Sequence, residues 1–185
     1  MSLPLGNNNM EKLNRYQKYT FRVENRKISR LIDNIEIGVN MALIQSERIV
    51  ADKAAIELPK VSPGSDTFLF LKMFADIHFY LVSVANIKKA IDKLDGIIGN
   101  KLVDINEDYG DFFKSAKAVR NCQEHLDERI ESEKYYGKSL YDDWLYEICG
   151  KTVVIGPPAD KILKKLYREL DLKLEFLYPK KVSKD

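Results

Sequence analysis

The chain has 185 residues, enough for one domain that buries its own core. At 45% hydrophobic and 31% charged residues, it is neither a disordered polyelectrolyte nor a staple-dependent miniprotein. Thirty basic against 28 acidic residues leave a net charge of +2, which excludes a general nucleic-acid coat and makes any anion site a local one.

Cysteine and histidine usage narrows the chemistry. Cys122 and Cys149 form no CxxC pair, and with two histidines they cannot build a zinc site of recognisable spacing. Reduced thiols in a cytoplasmic protein, with no metal and no cofactor, are the expectation.

In chain order, MSLPLGNNNM (1–10) lacks a basic region followed by an apolar stretch, so it reads as a flexible lead rather than a signal peptide. Residues 11–24 read as a first helix or an arm leading into one. From about 24 to 55, Ile28, Leu31, Ile32, Ile35, Val39, Ala42, Ser46 and Ile49 recur at spacings of three and four, which predicts a long amphipathic helix. LPKVSPGSD breaks it, and Ser65 or Asp66 is placed to cap a second helix over about 66–98.

That second helix contains TFLFLKMFADIHFYLVSVA (67–85), of roughly membrane-spanning length. Lys72, Asp76 and His78 inside it argue against a bilayer and for a helix buried on most sides within protein. Between 68 and 85 nearly every face is apolar. One face suits the core, and the second calls for a further cover: a homodimer packed around this helix, or else the last helix and hairpin of the same chain.

Gly99 and Asn100 stop the second helix. Asn106, with Glu107 and Asp108 after it, predicts the start of a third that runs to about 133 with Phe112, Ala116, Val119, Leu126 and Ile130 as its stripe. YDDWLYEICGKTVVIG then reads as a β-hairpin turning at Gly150-Lys151, onto which Tyr135, Tyr136, Tyr141 and Trp144 help pack. Residues 158–177 return to a helical period through Ile162, Leu163, Leu166, Leu170, Leu174 and Leu177, and 179–185 read as a frayed tail. The expectation is one mainly α domain over 11–178: an up-and-down bundle of four to five helices with a short hairpin before the last.

The stretch RNCQEHLDERI (120–130) carries the chemistry of interest. On a helical wheel with Phe112 toward the core, Asn121 points about 180° away, Glu128 about 160°, His125 about 140° and Glu124 about 120° on the other side, with Arg120 near 80°. Asn121 and His125 lie one turn apart and can touch one ligand. The plain reading is a solvated polar face, and the charge supports it: between Arg120 and Lys134 there are three basic and five acidic residues. The chemical reading is metal-free RNA cleavage, in which His moves protons and Arg stabilises the charged phosphorane. Arg120 and His125 diverge on one helix, so a dimer that lines a shared cleft would suit that reading better. His78 reads first as a satisfied core histidine, and as a binding residue if its helix forms the dimer seam. Cys122 reads as a half-buried structural thiol.

Arg120-Asn121-x-x-x-His125 resembles the Arg-x(4–6)-His motif of the HEPN superfamily, including the polar residue that follows the Arg and the placement in a late helix of an all-α bundle. The resemblance covers the bundle layout over about 25–177, and its specific part is about six residues. It implies a small helical protein that dimerises and acts as a metal-independent endoribonuclease or RNA-binding protein in toxin–antitoxin, phage-defence or RNA-processing systems. An antitoxin or other protein would then be its partner. Alternatively it implies a non-catalytic interaction or nucleotide-binding module. Arg120 and His125 would be the catalytic pair and Asn121 their orienting helper, with Glu124 and Glu128 as binding residues beside them. The surrounding acids and the β-hairpin depart from the simplest family pattern.

Overall fold

A computed structural model describes residues 25–57, 65–125 and 138–179. The elements are α1 (Arg26–Glu57), α2 (Ser65–Ile97), α3 (Val103–Asp108), α4 (Gly110–Glu124), β1 (Lys138–Leu140), β2 (Leu145–Ile148), β3 (Lys151–Val154) and α5 (Gly156–Leu177). The bundle is mainly helical with an antiparallel hairpin before the last helix, as the periodicities predict.

Asn25 starts α1 by accepting the backbone N–H groups of Lys27 and Ile28 on its side-chain oxygen, at 2.9 and 3.4 Å. The stripe from Ile28 to Ile49 is buried apart from Leu31, which is half-buried. α1 and α2 run antiparallel as the principal helix pair. Gly38 makes this approach possible, since a Cβ there would meet the Ile87 side chain at 2.7 Å. α5 packs on α1, α4 packs on α2, and the sheet packs on α4.

α2 ends as expected, with Gly99 and Asn100 at φ +75° and +58° and the Asn100 N–H donating to the Asp95 carbonyl. The buried Asp95 carboxylate then accepts the Leu102 N–H at 2.6 Å and the Asn106 amide at 3.4 Å, which fixes the turn into α3. Asn106 therefore does not start a helix. The expected third helix is instead two pieces, α3 and α4, and α4 ends at Glu124 rather than near 133. Leu126, Asp127, Glu128, Ile130, Glu131, Tyr135 and Tyr136 lie outside the described residues, as do 1–24, the 58–64 break and the tail from 180. The side chains of Ser65 and Asp66 do too.

The sheet has three strands, not two. β1 pairs antiparallel with β2, and β2 with β3 through Leu145↔Val154 and Ile148↔Lys151. The tight turn is Cys149-Gly150, one residue earlier than expected, and both residues have positive φ (+50° and +66°), the two-residue turn that matches strand twist. Gly156 opens α5 at φ +66° with the Trp144 indole 2.5 Å from where a Cβ would stand. Trp144 thereby locks the sheet to the start of α5, and Lys53 of α1 reaches over its ring at 4.9 Å.

α2 is less covered than its sequence suggests. It is long and apolar enough to cross a membrane by length and composition, yet only 39% of its most apolar window is buried. The expectation of a helix buried on most sides is corrected. Its core side holds Met73, Ile77, Leu81, Val84, Ile91 and Leu94, while Phe68, Leu71 and Phe79 face outward.

Candidate functional site

The last turn of α4 carries the motif residues. Its buried residues are Phe113, Ala116, Val119 and Cys122, a three-residue spacing that spans about 180° of the wheel. Phe112, used as the core direction, lies near the middle of this arc but is itself only half-buried. α4 needs so wide an apolar arc because it is wedged between α2 and β3. Cys122 is consequently fully buried, not half-buried, and both it and Cys149 are buried thiols. Gln123 also turns inward and donates to the Tyr146 hydroxyl at 3.0 Å.

Arg120 is half-buried at the flank. Its Nε lies 3.2 Å from Glu124 Oε1, an (i, i+4) ion pair, and its Nη2 donates to Asn121 Oδ1 at 3.4 Å. Asn121 is half-buried, and Glu124 and His125 are exposed. His125 is the C-cap, with its backbone N–H on the Asn121 carbonyl at 3.2 Å. So Arg120 touches Asn121 and Glu124, while His125 meets Asn121 through its backbone and stays about 140° from Arg120 around the helix. They sit in the last turn of α4, the end of a helix whose dipole favours cations and disfavours phosphate. Glu128 lies outside the described residues. His78 is half-buried on α2, edge-on to Phe79 with ring centroids 5.7 Å apart, and belongs to a different element from the motif.

A second polar constellation went unread in the sequence. Lys72 of α2 bridges both carboxylate oxygens of Asp52 on α1 at 2.6 Å and approaches Asp76 at 3.6 Å, while Arg48 meets Asp76 at 3.1 Å. Asp52 and Asp76 are buried. Further along α1, the fully buried Ser46 donates to Asp160 Oδ2 of α5 at 2.9 Å. Burial pushes the Asp160 carboxyl up to about 6, and Glu47 adds to this while the Ser46 hydrogen bond and Lys164 oppose it. Burial, with Asp160 nearby, likewise raises the Tyr80 hydroxyl. The signal was present: Lys72, Asp76 and Tyr80 follow one another at four-residue steps. These groups tie α1, α2 and α5 together inside the fold. Among the described residues no group of three or more His, Cys, Asp or Glu side chains could hold a metal ion.

No family model matches the chain, and no curated protein and no solved structure proved similar to it. By its architecture it is a mainly helical bundle carrying a small antiparallel sheet.

Proposed function

We propose that the chain works by binding rather than by catalysis, as a HEPN-like, non-catalytic protein-interaction module of the cytoplasm. The observation that carries this reading is the setting of Arg120. Its charge is already met by Glu124, and the motif ends at a helix C-terminus, where a phosphate gains nothing from the backbone. The most extensive exposed apolar surface among the described residues is elsewhere, on the α1–α2 face, and suits a protein partner.

A second reading is the metal-independent endoribonuclease. One observation favours it: the Arg120–Glu124 pair is a partly exposed (i, i+4) pair worth under about 1 kcal/mol, so a phosphate of suitable shape can displace Glu124. Arg120 would then stabilise the phosphorane, His125 would move the proton and Asn121 would orient them.

Fluorescence anisotropy with single-stranded RNA separates the two. The binding-module reading expects weak association that Glu124→Gln strengthens by freeing Arg120 and that His125→Ala leaves alone. Tight binding by the natural protein, lost in Arg120→Ala, would favour the nuclease.

A further inference from the structure

The groove between α1 and α2 has an apolar middle and two unlike ends. It holds about 530 Å³ and follows α1 from Leu31 to Gln45, roughly 21 Å of helix. The two helices approach at Gly38 and Ile87, so the Leu31 end lies beside Lys93 and the Gln45 end beside Phe79. Ile37, Met41 and Phe79 line the middle, each 44 to 58% exposed.

At one end stand Lys89 and Lys93, one turn apart on α2 and both exposed. Neither makes an ion pair among the described residues, and the neighbouring Asp92 is held by Lys88. Like charges at this spacing repel, and an anion set between them relieves both. At the other end Gln45 is 6% exposed, and its side-chain oxygen is buried with no hydrogen-bond partner among the described residues. Buried amides are nearly always hydrogen-bonded, so Gln45 offers an incoming molecule a bond that the rest of the chain does not use.

We propose that this groove receives one amphipathic helix of a partner protein, acidic where it meets Lys89 and Lys93 and carrying an uncharged hydrogen-bonding side chain about four turns away, opposite Gln45. The inference rests on the binding reading of the α1–α2 face and gives the partner a chemistry.

The shape fits a helix. The valley between two packed helices is straight, and a third helix laid along it meets both walls with residues at i, i+3, i+4 and i+7. A single small amphiphile would stay open on its outer side, whereas sites for such ligands enclose most of their surface.

Charge selects among the macromolecular occupants. Lys12, Arg15, Lys18 and Arg22 outnumber Glu11 and Glu24 in residues 1–24, so that segment would add positive charge beside the two lysines. A second copy of this face has no carboxylate lining its groove to meet them. A bilayer would suit the lysines but set Gln45, Asn34 and Asn86 against hydrocarbon. An acidic helix satisfies the lysines, the apolar middle and Gln45 together.

The test is fluorescence anisotropy of the full chain with two labelled, end-blocked helical peptides of about 18 residues. Both carry a leucine stripe at the helical spacing with one glutamine in it. Four turns from that glutamine, one peptide has a pair of glutamates and the other a pair of lysines. The natural protein is expected to bind the acidic peptide at least about tenfold more tightly, and Lys89→Glu with Lys93→Glu to reverse the order. Gln45→Leu should weaken binding of the acidic peptide, and replacing the peptide's glutamine by leucine should cancel that loss. Circular dichroism checks that each variant is folded. No binding of either peptide, equal binding of both, or an order that the charge reversal leaves unchanged would overturn the inference. Sedimentation with phosphatidylglycerol vesicles that needs Lys89 and Lys93 would overturn it in favour of a lipid surface. A solution mass of two chains that Phe79→Glu reduces to one would overturn it in favour of a second copy. RNA cleavage that depends on His125 would defeat the binding reading and leave this result standing, while intact RNA with no peptide bound would do the reverse.

Discussion

Asp160→Asn is expected to stabilise the protein, and only above about pH 5. In the folded chain the carboxyl is pushed from 3.8 to about 6, because burial disfavours its charged form more than the Ser46 hydrogen bond and Lys164 favour it. Folding therefore raises this pKa, and the folded state binds a proton that the unfolded state has released. The stability it contributes is fully present below about pH 4 and is lost as pH rises through about 6. Two pKa units correspond to about 3 kcal/mol. Asp160 is only partly buried, so solvent screening reduces this to about 1–2 kcal/mol. Asparagine keeps an acceptor for Ser46 and never ionises. At pH 8 the substitution should raise the melting temperature by about 3–6 °C, and at pH 4 it should change it little. Thermal unfolding followed by circular dichroism at both pH values measures this. An equal loss of stability at both would refute the reasoning, because it would mean that the ionised carboxylate supports the α1–α5 junction.

Three further outcomes are expected. Gly156→Ala should destabilise the fold by about 2–4 kcal/mol, read by urea unfolding, because φ is +66° and the new methyl meets the Trp144 ring at 2.5 Å. Lys72→Met should cost about 2–3 kcal/mol in the same assay, since it removes the nearest cation from the buried Asp52 and leaves Asp76 to Arg48 alone. Both cysteines should react slowly with a thiol reagent in the native protein and rapidly in denaturant, because the Cys122 and Cys149 thiols are buried; fast native labelling of Cys122 would contradict its place under α4.

The long helices were legible because their apolar residues keep one period over many turns. The stripe from Ile28 to Ile49 and that from Leu163 to Leu174 both lie inside, and the positive-φ stop at Gly99-Asn100 falls where the residue types demand it. α4 was harder because packing on two sides blurs a single stripe into a half-circle, which hid the burial of Phe113 and Cys122. Its end at Glu124 carries neither glycine nor proline to mark it. β1 is three residues long and too short to show alternation. At the motif, the sequence supplied the residues, but not that Glu124 would take up the Arg120 guanidinium. The Asp52–Lys72 and Arg48–Asp76 pairs join α1 to α2 across 20 or more positions, and pairing across helices leaves no local pattern beyond the four-residue step from Lys72 to Asp76.

The most direct measurement is the incubation of the folded protein with a mixed RNA pool, without metal and with EDTA present, beside an equally folded His125→Ala variant. The binding-module account expects the pool to remain intact with both. Cleavage by the natural protein that disappears in His125→Ala would contradict it and put His125 in a catalytic role.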